Sequence, residues 1–510
     1  MSPLLIGAII LLALIKLYKW STFRPEGCPP GPPRIPIIGN YLYLLLLNWN
    51  HIHKATSWMC KYYNSKIISL YLGPILAYAV NDSEAIKEVL YSSSYDGRPD
   101  LLLGRMRHPE LKKKGIFFND GPIWKEQRWF FLRYLRDYGF GRRFECLENV
   151  MQEEITDLIS LMKEGPKYSH EHKYAKKNQI RIPYAISPFT TNSFFHMLFG
   201  QRYSRSEHAE LLKFSDAAFA FTRNTNEYGR LISMLPWVRY IFPGLSGFKD
   251  LFEVNIDQYN FFKKRVEDRI ATFKGDEDDM SFLDLFIKEW KQGKHDPESF
   301  EHDQFIMNCL DFSLPANVAI SIQMTMFLQT LIRHPNIARN IQAEIDEVVG
   351  QCRLPTLDDR KNLPYTEACI REILRLETLV PSSIVHSSTE DTKLMGYNVP
   401  KDTPVFPGLY ELHLDENLWD NPMSFKPERF LDSEGKFSVK LDKSLPFGAG
   451  RRLCAGETFA RNMMFLISSA FLQNFNFHAR PGQKIPLPHT HPVGIAVVPD
   501  EFWLSYTPRF

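Results

Sequence analysis

The residues most suited to chemistry in this chain lie in one short segment, which reads FGAGRRLCAG over positions 447–456. Gly450 and Gly456 let the backbone bend close to a flat group, because glycine carries no Cβ atom. Arg452 supplies a cation for the carboxylates of such a group. A helix predicted over 457–471 begins just after Cys454, and its positive end would stabilise a thiolate. The segment therefore predicts that Cys454 is a thiolate ligand to a metal ion held in a flat macrocycle.

These positions resemble FxxGxRxCxG, the haem-binding signature of the cytochrome P-450 family, at all five fixed positions. The resemblance implies haem (iron protoporphyrin IX) as the cofactor and Cys454 as its proximal iron ligand. Phe447 would cover the sulfur and limit the access of water, and Gly456 and Arg452 would lie beside the cofactor. A buried structural cysteine in a glycine-rich turn is the competing interpretation of the residues alone.

The same resemblance implies a structural network behind the cysteine segment. Glu372 and Arg375 match the family's ExxR motif, which places an acid and a base one turn apart on one helix face. Arg429 lies in FKPERF at 425–430, which resembles the family's PERF element. In the family these three residues form a buried Glu–Arg–Arg network that supports the cysteine loop.

Contacts to the haem propionates are implied at three more positions. Trp124 and Arg128 match the family's WxxxR motif, and the stretch 379–386 resembles the segment that lines the cavity and ends in a propionate partner, here His386. The run 135–154 and the opening proline segment resemble the microsomal branch of the family. The resemblance covers essentially the whole chain in the expected order.

The central helix departs from the family pattern. The family carries [AG]-G-x-[DE]-T-[TS] there, and at the threonine position, fifteen residues before the His-Pro dipeptide that follows, this chain has Ala319. Val318 replaces the acid and Ile320 the next hydroxyl, while Asn317 and Ser321 are the nearest polar side chains. The acid–alcohol pair organises the water that carries protons for oxygen activation, and such proton transfer is typically worth about 10²–10⁴-fold.

A proline inside the same helix predicts a kink. Pro315 removes one backbone hydrogen bond and frees a carbonyl near Asp311, which would be able to hold a water molecule. Three functions stay open on these residues: a monooxygenase that borrows a substrate hydroxyl or an ordered water, a peroxide or hydroperoxide isomerase that needs no proton relay, or a haem- and ligand-binding protein without turnover.

Composition sets the class of protein. The 510 residues are 44% hydrophobic and 24% charged, so the chain can bury a large core, and a net charge of +2 gives no nucleic-acid footprint. The seven cysteines are scattered, odd in number and without a CxxC pair. This pattern argues against a zinc knuckle or a disulfide framework and is typical of a reducing compartment.

The N-terminus predicts a membrane anchor. Residues 3–15 are almost wholly apolar, and Lys16 and Lys19 follow them. A cleaved signal peptide is the competing interpretation, but no small-residue cleavage site precedes the prolines. The positive charge that follows the run predicts that the body lies in the cytosol. The resemblance to the microsomal branch implies that the membrane is that of the endoplasmic reticulum. We expect an anchor over 1–20, a stiff proline-rich linker over 21–40 and a haem-thiolate catalytic domain over 41–510.

Hydrophobic periodicity predicts a mainly α fold with a small β portion (α+β). Early strands are predicted in ISLYLG, AYAV and VLYSS between residues 68 and 93, and short strands over 393–399. Helical patterns cover 124–162, 187–349 (with breaks near Pro236, Pro243 and 274–279) and 365–377. The polar segment 165–178 is predicted to be an exposed, solvated loop.

These observations lead to one functional hypothesis. The chain is expected to be a haem-thiolate monooxygenase that oxidises a lipophilic small molecule (a sterol, hormone or xenobiotic) with dioxygen and with electrons from NADPH. An NADPH-dependent cytochrome reductase is the expected partner, with a small haem cytochrome as a second one. Six cations flank segments that face the reductase in the family: Arg133, Arg136, Arg142, Arg143, Lys443 and Arg451.

Overall fold

The computed structural model describes residues 3–140, 143–275, 281–293 and 295–510. Helices form most of it, which confirms the predicted mainly α fold. The helices are α1 (Pro3–Thr22), α2 (Tyr41–Asn48), α3 (Ile52–Tyr62), α4 (Ser83–Tyr91), α5 (Leu102–Arg105), α6 (Gly121–Leu135), α7 (Glu145–Glu164), α8 (Ser187–Phe199), α9 (His208–Arg223), α10 (Arg230–Met234), α11 (Val238–Ile241), α12 (Phe248–Thr272), α13 (Phe282–Gln292), α14 (His302–Arg333), α15 (Pro335–Val348), α16 (Pro364–Leu376), α17 (Leu409–His413) and α18 (Glu457–Asn474).

The small β portion consists of three separate sheets in the described part of the chain. The strands are β1 (Ile67–Leu72), β2 (Ile75–Val80), β3 (Ala175–Lys176), β4 (Gln179–Ile182), β5 (His386–Ser387), β6 (Thr392–Leu394), β7 (Tyr397–Val399), β8 (Pro404–Pro407), β9 (Phe475–Ala479) and β10 (Phe502–Pro508). One sheet has the order β1-β2-β8-β5, with a parallel β2–β8 pair; a second, fully antiparallel sheet has the order β3-β4-β10-β9. The β6–β7 hairpin lies where short strands are predicted.

The long helix α14 runs through the centre of the fold. Apolar residues occur on all sides of it, and it packs against α8, α9, α12, α16 and α18. Its length and hydropathy would also suit a bilayer, but 83% of its most apolar window is buried inside the molecule, as in the core helix of a globular fold. The helix therefore supplies one wall of the interior.

Two features of the first half differ from the sequence prediction. Val89 and Leu90 are predicted to lie in a strand, but they are buried residues of helix α4. The helix begins there because the Asp82 side chain accepts hydrogen bonds from two N–H groups of the first turn of α4 (3.1–3.2 Å). The helix predicted over 124–162 is interrupted after α6 by a π-helical turn, in which Gly139 has a positive φ of 99°.

The segment 165–178 is exposed over much of its length, as its polar sequence predicts, but part of it is buried. Glu171 is completely buried and forms a bidentate ion pair with Arg205 at 2.5 and 3.0 Å. Tyr174 and Ala175 are also buried, and β3 joins the edge of the second sheet. The lysines of the segment are exposed, whereas the buried Glu171 has its partner outside the segment, where no local pattern indicates it.

The N-terminal helix ends against the proline-rich segment. From Ile9 to Trp20 its side chains are exposed, most of them large and apolar. The Arg34 guanidinium lies 3.7 Å from the centre of the Trp20 ring, and its Nε donates to the Trp20 carbonyl (2.9 Å). The following prolines run along β1, where Ser69 N–H donates to the Pro30 carbonyl (2.8 Å). The end of α1 is thus fixed to the body by the linker.

Candidate active site

The segment that carries Cys454 is a tight loop between two packed elements. A short 3-10 helix, Gly450–Arg452, precedes it, and the Cys454 N–H donates to the Phe447 carbonyl at 2.9 Å. Gly450 has a φ of +65°, and a Cβ atom there would lie 2.1 Å from the Leu90 carbonyl oxygen of α4. Close packing against α4 therefore requires glycine at position 450. The sequence predicted glycine here for a different purpose, which was to let the backbone approach a flat macrocycle.

The Cys454 thiol has the surroundings of a thiolate ligand. Burial raises its pKa, while the Gly456 N–H, which points at the sulfur, and the Arg128 guanidinium lower it. The side chain lies deep among protein atoms, yet its own surface is exposed and not packed. A thiol that lies deep in the fold but has an exposed surface borders an internal space. Helix α18 begins directly after Gly456, so its positive end lies near the sulfur. The sulfur is therefore free to bind a ligand.

Three guanidinium groups converge beside this loop. Burial, followed by repulsion from Arg98 and Arg128, lowers the pKa of Arg452 to about 8. Burial likewise lowers the pKa of Arg98 to about 9, with repulsion from Arg128 next in importance. Asp96 and Asp120 oppose the shift without cancelling it. An excess of buried positive charge fits a bound group that carries carboxylates, as the haem propionates do.

The two other predicted propionate contacts also lie at this cluster. The Arg452 guanidinium stacks on the Trp124 ring, 3.6 Å from its centre, and the Trp124 indole N–H is buried without a hydrogen-bond partner in the described chain. His386 is buried, and burial followed by repulsion from Arg98 lowers its pKa well below 6.5, so the ring is neutral. An unpartnered buried N–H among cations again fits an anionic cofactor edge.

The predicted structural network is assembled as implied. Arg375 binds Glu372 in a bidentate ion pair at 2.7 Å for both contacts, and Arg429 Nε donates to the same carboxylate at 3.1 Å. Arg375 and Glu372 are fully buried. The remaining Arg375 donors reach the His413 and Pro422 carbonyls at 2.7 and 2.8 Å. Because every charge is paired, the network fixes α16 against the segment that leads to Cys454.

Two residues of the site were not anticipated from the sequence. Arg98 donates to the Val385 and Phe117 carbonyls at 2.9 and 3.2 Å and so reaches the arginine cluster from a loop before α5. His413 lies between the Glu–Arg–Arg network and the cysteine segment, where its Nε2 accepts from the Leu445 N–H. Arg98 belongs to none of the motifs, and only its burial among other arginines reveals it.

The central helix presents two different faces at the altered motif. Pro315 is exposed and Ala319 is partly exposed, one turn apart, although the helix around them is buried, so this face borders interior space. Val318 is buried in the main hydrophobic core. The Asn317 amide points elsewhere: it accepts from Ser187 Oγ of α8 (3.0 Å) and donates to Ser215 Oγ of α9 (3.1 Å). The structure thus brings Ala319, but not the Asn317 side chain, to the open face.

The predicted kink region is held by a buried ion pair. The Asp311 carboxylate pairs with Arg107 and accepts from the Ile116 and Phe117 N–H groups at 2.6 and 2.8 Å. A Cβ atom on Gly115 would lie 2.2 Å from Asp311 Oδ2, so glycine lets this loop approach the helix. The Asp311 side chain therefore fixes the loop 107–117 over α14.

Comparison with known proteins agrees with this geometry. Residues 29–505 match the family model described as Cytochrome P450. The chain is 30% identical to farnesoate epoxidase of Bombyx mori over 521 residues, which covers 98% of both proteins. It is also 30% identical to cytochrome P450 2J2 of Homo sapiens (99% of this chain, 96% of the relative) and 31% identical to cytochrome P450 2A10 of Oryctolagus cuniculus (100% and 99%).

The extent of the match and the site residues lead to one assignment. The family model spans the described fold from the proline segment to β10, and the cysteine loop, the buried arginines and the unpartnered indole N–H all suit its cofactor, haem. This chain belongs to the cytochrome P450 family of haem-thiolate monooxygenases.

Proposed function

We propose that this enzyme inserts one oxygen atom of dioxygen into a lipophilic small molecule, with electrons that a membrane-bound reductase takes from NADPH. Cys454 would bind the haem iron through its thiolate, and the propionates would be held by Arg98, Arg128, Arg452, Trp124 and His386. When bound, the haem supplies the reductive activation of dioxygen, which a thiolate ligand favours. The observation that carries the proposal is the open Cys454 thiol with the buried arginines beside it.

The residues of the chain divide the remaining work. Gly456 N–H and the start of α18 stabilise negative charge at the sulfur. The Glu372–Arg375–Arg429 network keeps the loop rigid, and Phe447 packs at the edge of the main core beside it. On α14, the face that carries Pro315 and Ala319 has no side-chain acid or hydroxyl at these two positions, so proton delivery would fall to water or to the substrate itself.

A lipophilic substrate and a membrane location are supported by different observations. One relative is named for the epoxidation of farnesoate. The exposed apolar side chains of α1 would anchor the protein in the endoplasmic reticulum membrane, with the body in the cytosol. The resemblance to the family implies a sterol, hormone or xenobiotic as the substrate, and compounds of these three classes are lipophilic.

Reductase binding would use exposed cations near the cysteine loop. Arg133, Arg136, Arg143 and Arg451 are exposed. Arg136 and Arg451 each have one acidic neighbour, Asp137 at 3.4 Å and Asp96 at 3.3 Å, and Arg143 is paired with both Glu148 and Asp358. Arg142 lies outside the described residues. An acidic reductase would be steered toward this side of the molecule, and a small haem cytochrome would compete for it.

A second candidate function follows from Ala319 and Val318. A peroxide or hydroperoxide isomerase on the same fold needs no proton relay, and the described helix offers none at these two positions. The two functions differ in whether NADPH is required.

The decisive experiment is Cys454→Ser in the full-length protein. The reduced, carbon-monoxide-bound wild type should show the strongly red-shifted band of thiolate-bound haem, and the variant should lose it. Cys352→Ser, which changes another exposed thiol, is the matched control and should keep the band. A thiolate band that survives Cys454→Ser would overturn the ligand assignment.

A further inference from the structure

The segment 95–98 holds two of the expected propionate contacts in place. The Tyr95 carbonyl accepts a hydrogen bond from Nδ1 of the neutral His386 ring at 2.8 Å. The Asp96 carbonyl accepts from Arg452 Nε at 2.8 Å and also from its Nη2. Because both bonds end on the backbone, this segment determines where the His386 ring and the Arg452 guanidinium lie.

The next two residues of the segment complete the arrangement. The backbone of Gly97 pairs with that of Ser387 through two hydrogen bonds, at 2.9 and 3.1 Å. A Cβ atom at position 97 would lie 2.4 Å from Ser387 Oγ, so glycine lets the two chains approach. Arg98 is itself a member of the arginine cluster, and its backbone N–H donates to Asp120 Oδ2 at 2.9 Å. Four consecutive residues therefore organise this edge of the site.

The Asp96 side chain connects the segment to the surface of the protein. Its carboxylate is 10% exposed and lies 3.3 Å from the guanidinium of Arg451, whose side chain is 63% exposed. The same carboxylate is near enough to attract all three guanidinium groups of the cluster, those of Arg98, Arg128 and Arg452. Asp96 thus stands between one exposed cation and the cations of the cluster.

The other carboxylate at the cluster, Asp120, is paired in a less accessible way. It accepts from Lys113 Nζ at 2.8 Å, and the Lys113 side chain is 20% exposed. A molecule that approaches from solvent therefore reaches Arg451 more readily than Lys113. An ion pair with one strongly exposed member is weak, because water and salt screen it, so a competing acidic group can open the Asp96–Arg451 pair.

We propose that Asp96 lowers the reduction potential of the haem, and that an acidic partner bound at Arg451 strengthens this effect. In the closed pair, Arg451 offsets much of the charge of the carboxylate, and the cluster stays strongly positive. A partner that takes Arg451 leaves the carboxylate to the cluster alone. Reduction adds one negative charge at the cofactor, so a less positive cluster disfavours it. The inference rests on the proposed docking of a reductase near the cysteine loop and names one regulatory contact of that docking.

The test measures the haem reduction potential of the full-length protein by spectroelectrochemistry at low salt. Asp96→Asn keeps the size of the side chain and the backbone carbonyl that binds Arg452, but it removes the charge, and the potential should rise. Asp96→Glu keeps the charge and should restore a potential close to that of the wild type. The thiolate band and the unfolding midpoint should be the same in both variants, since the segment itself is unchanged.

A double-mutant comparison tests the link to the surface. Arg451→Gln should lower the potential of the wild type and have little effect in Asp96→Asn, because the two residues act through one ion pair. Arg133→Gln is the matched control: it removes another exposed cation of the proposed docking side, and its shift should be equal in both backgrounds.

Poly-L-glutamate serves as the acidic probe. Its addition at low salt should lower the potential of the wild type, and Asp96→Asn and Arg451→Gln should each lose most of this shift. The shift should also disappear at high salt, since screening weakens the contact at Arg451.

Three results would overturn the inference. The first is an equal change of potential in Asp96→Asn and Asp96→Glu, which would leave Asp96 a structural role only. The second is additivity of Asp96→Asn and Arg451→Gln, and the third is an equal response of the wild type and Asp96→Asn to poly-L-glutamate. Failure of the proposed function has a different signature. If the wild type forms no product with reductase and NADPH while its potential still follows Asp96 and Arg451, the enzyme function fails and the role of Asp96 stands.

Discussion

The imidazole Nε2 of His413 accepts a hydrogen bond from the backbone N–H of Leu445 at 3.0 Å, nine residues before Cys454. The other ring nitrogen pairs with Thr378 Oγ1 at 2.7 Å, and the His413 carbonyl accepts from Arg375. One buried residue thus joins the Glu–Arg–Arg network to the start of the cysteine segment. The ring must be neutral to accept from a backbone N–H.

The neutrality of His413 predicts a pH dependence. Burial, then repulsion from Arg375, lowers its pKa to about 3. Below pH 6.5 the unfolded chain takes up a proton that the folded ring refuses, so the free energy of unfolding falls as the pH falls from 6.5 toward 3. The loss is about 1.4 kcal/mol per pH unit. His413→Gln keeps an acceptor but does not titrate. Between pH 6.5 and 5, its free energy of unfolding should therefore rise by roughly 2 kcal/mol relative to that of the wild type.

Thermal unfolding followed by loss of the thiolate band at several pH values measures this difference. His478→Gln changes an exposed histidine and should follow the wild type at every pH. Parallel pH curves for His413→Gln and the wild type would show that His413 is not the group that titrates.

Trp124→Phe tests the fit of the arginine cluster to the cofactor. The indole N–H has no partner in the described chain, so its removal leaves no buried group newly unpaired in the protein itself. With haem bound, a hydrogen bond to a charged propionate would be lost, which is typically worth about 1.5–3 kcal/mol. We expect haem transfer to apomyoglobin to be about tenfold faster, with the unfolding midpoint of the haem-free protein almost unchanged.

Trp419→Phe is the contrasting variant. Trp419 is buried like Trp124, but its indole N–H donates to the Leu412 carbonyl at 3.2 Å. Its replacement should lower the unfolding midpoint of the haem-free protein, because it leaves that carbonyl unpaired. If the two variants lose haem at the same rate, the Trp124 N–H does not contact the cofactor.

Local motifs and long-range contacts were not equally predictable from the sequence. Glu372 and Arg375 are one turn apart in the chain, so the helix alone brings them together, and their pairing could be anticipated. Arg98 and His413 reach the site only through contacts between distant elements, which no local pattern encodes. The buried Glu171–Arg205 pair shows the same limit, since its two partners are 34 residues apart in the chain.

Removal of residues 1–20 should shift the protein from the membrane pellet to the soluble fraction. The exposed apolar side chains of α1 would be lost, while the exposed Trp49 and Leu245 on the body remain and would retain a weaker affinity for the membrane. Sedimentation at physiological salt, with and without carbonate extraction, measures the partition. A full-length chain that stays soluble, or one secreted without its first 20 residues, would contradict the anchor.

Charge reversal at Arg133 and Arg136 should slow electron transfer from the reductase at low salt. Both side chains are exposed at the end of α6, and steering between opposite charges weakens as ionic strength rises. Stopped-flow reduction of the haem should therefore show a rate that falls with salt in the wild type and depends little on salt in the double variant. Lys249→Glu on α12 is the matched control. Unchanged kinetics in the double variant would exclude these arginines from the docking surface.

The altered central helix allows the monooxygenase and isomerase functions to be separated. Ala319 is partly exposed to the interior, so Ala319→Thr adds a hydroxyl at the open face, while Ala319→Val adds the same volume without one. A monooxygenase limited by proton delivery should form more product per NADPH consumed, and less hydrogen peroxide, in the threonine variant only. Val318→Glu should raise the product formed per NADPH less than the family pattern suggests, because Val318 is 4% exposed and a buried carboxylate without a partner is costly.

The other two functions predict different results. An isomerase should convert an organic hydroperoxide without NADPH, and Ala319→Thr should not raise its rate. A binding protein without turnover should form product under neither condition. The monooxygenase function is lost if tight-binding ligands give no oxygenated product with reductase and NADPH while the hydroperoxide is converted rapidly.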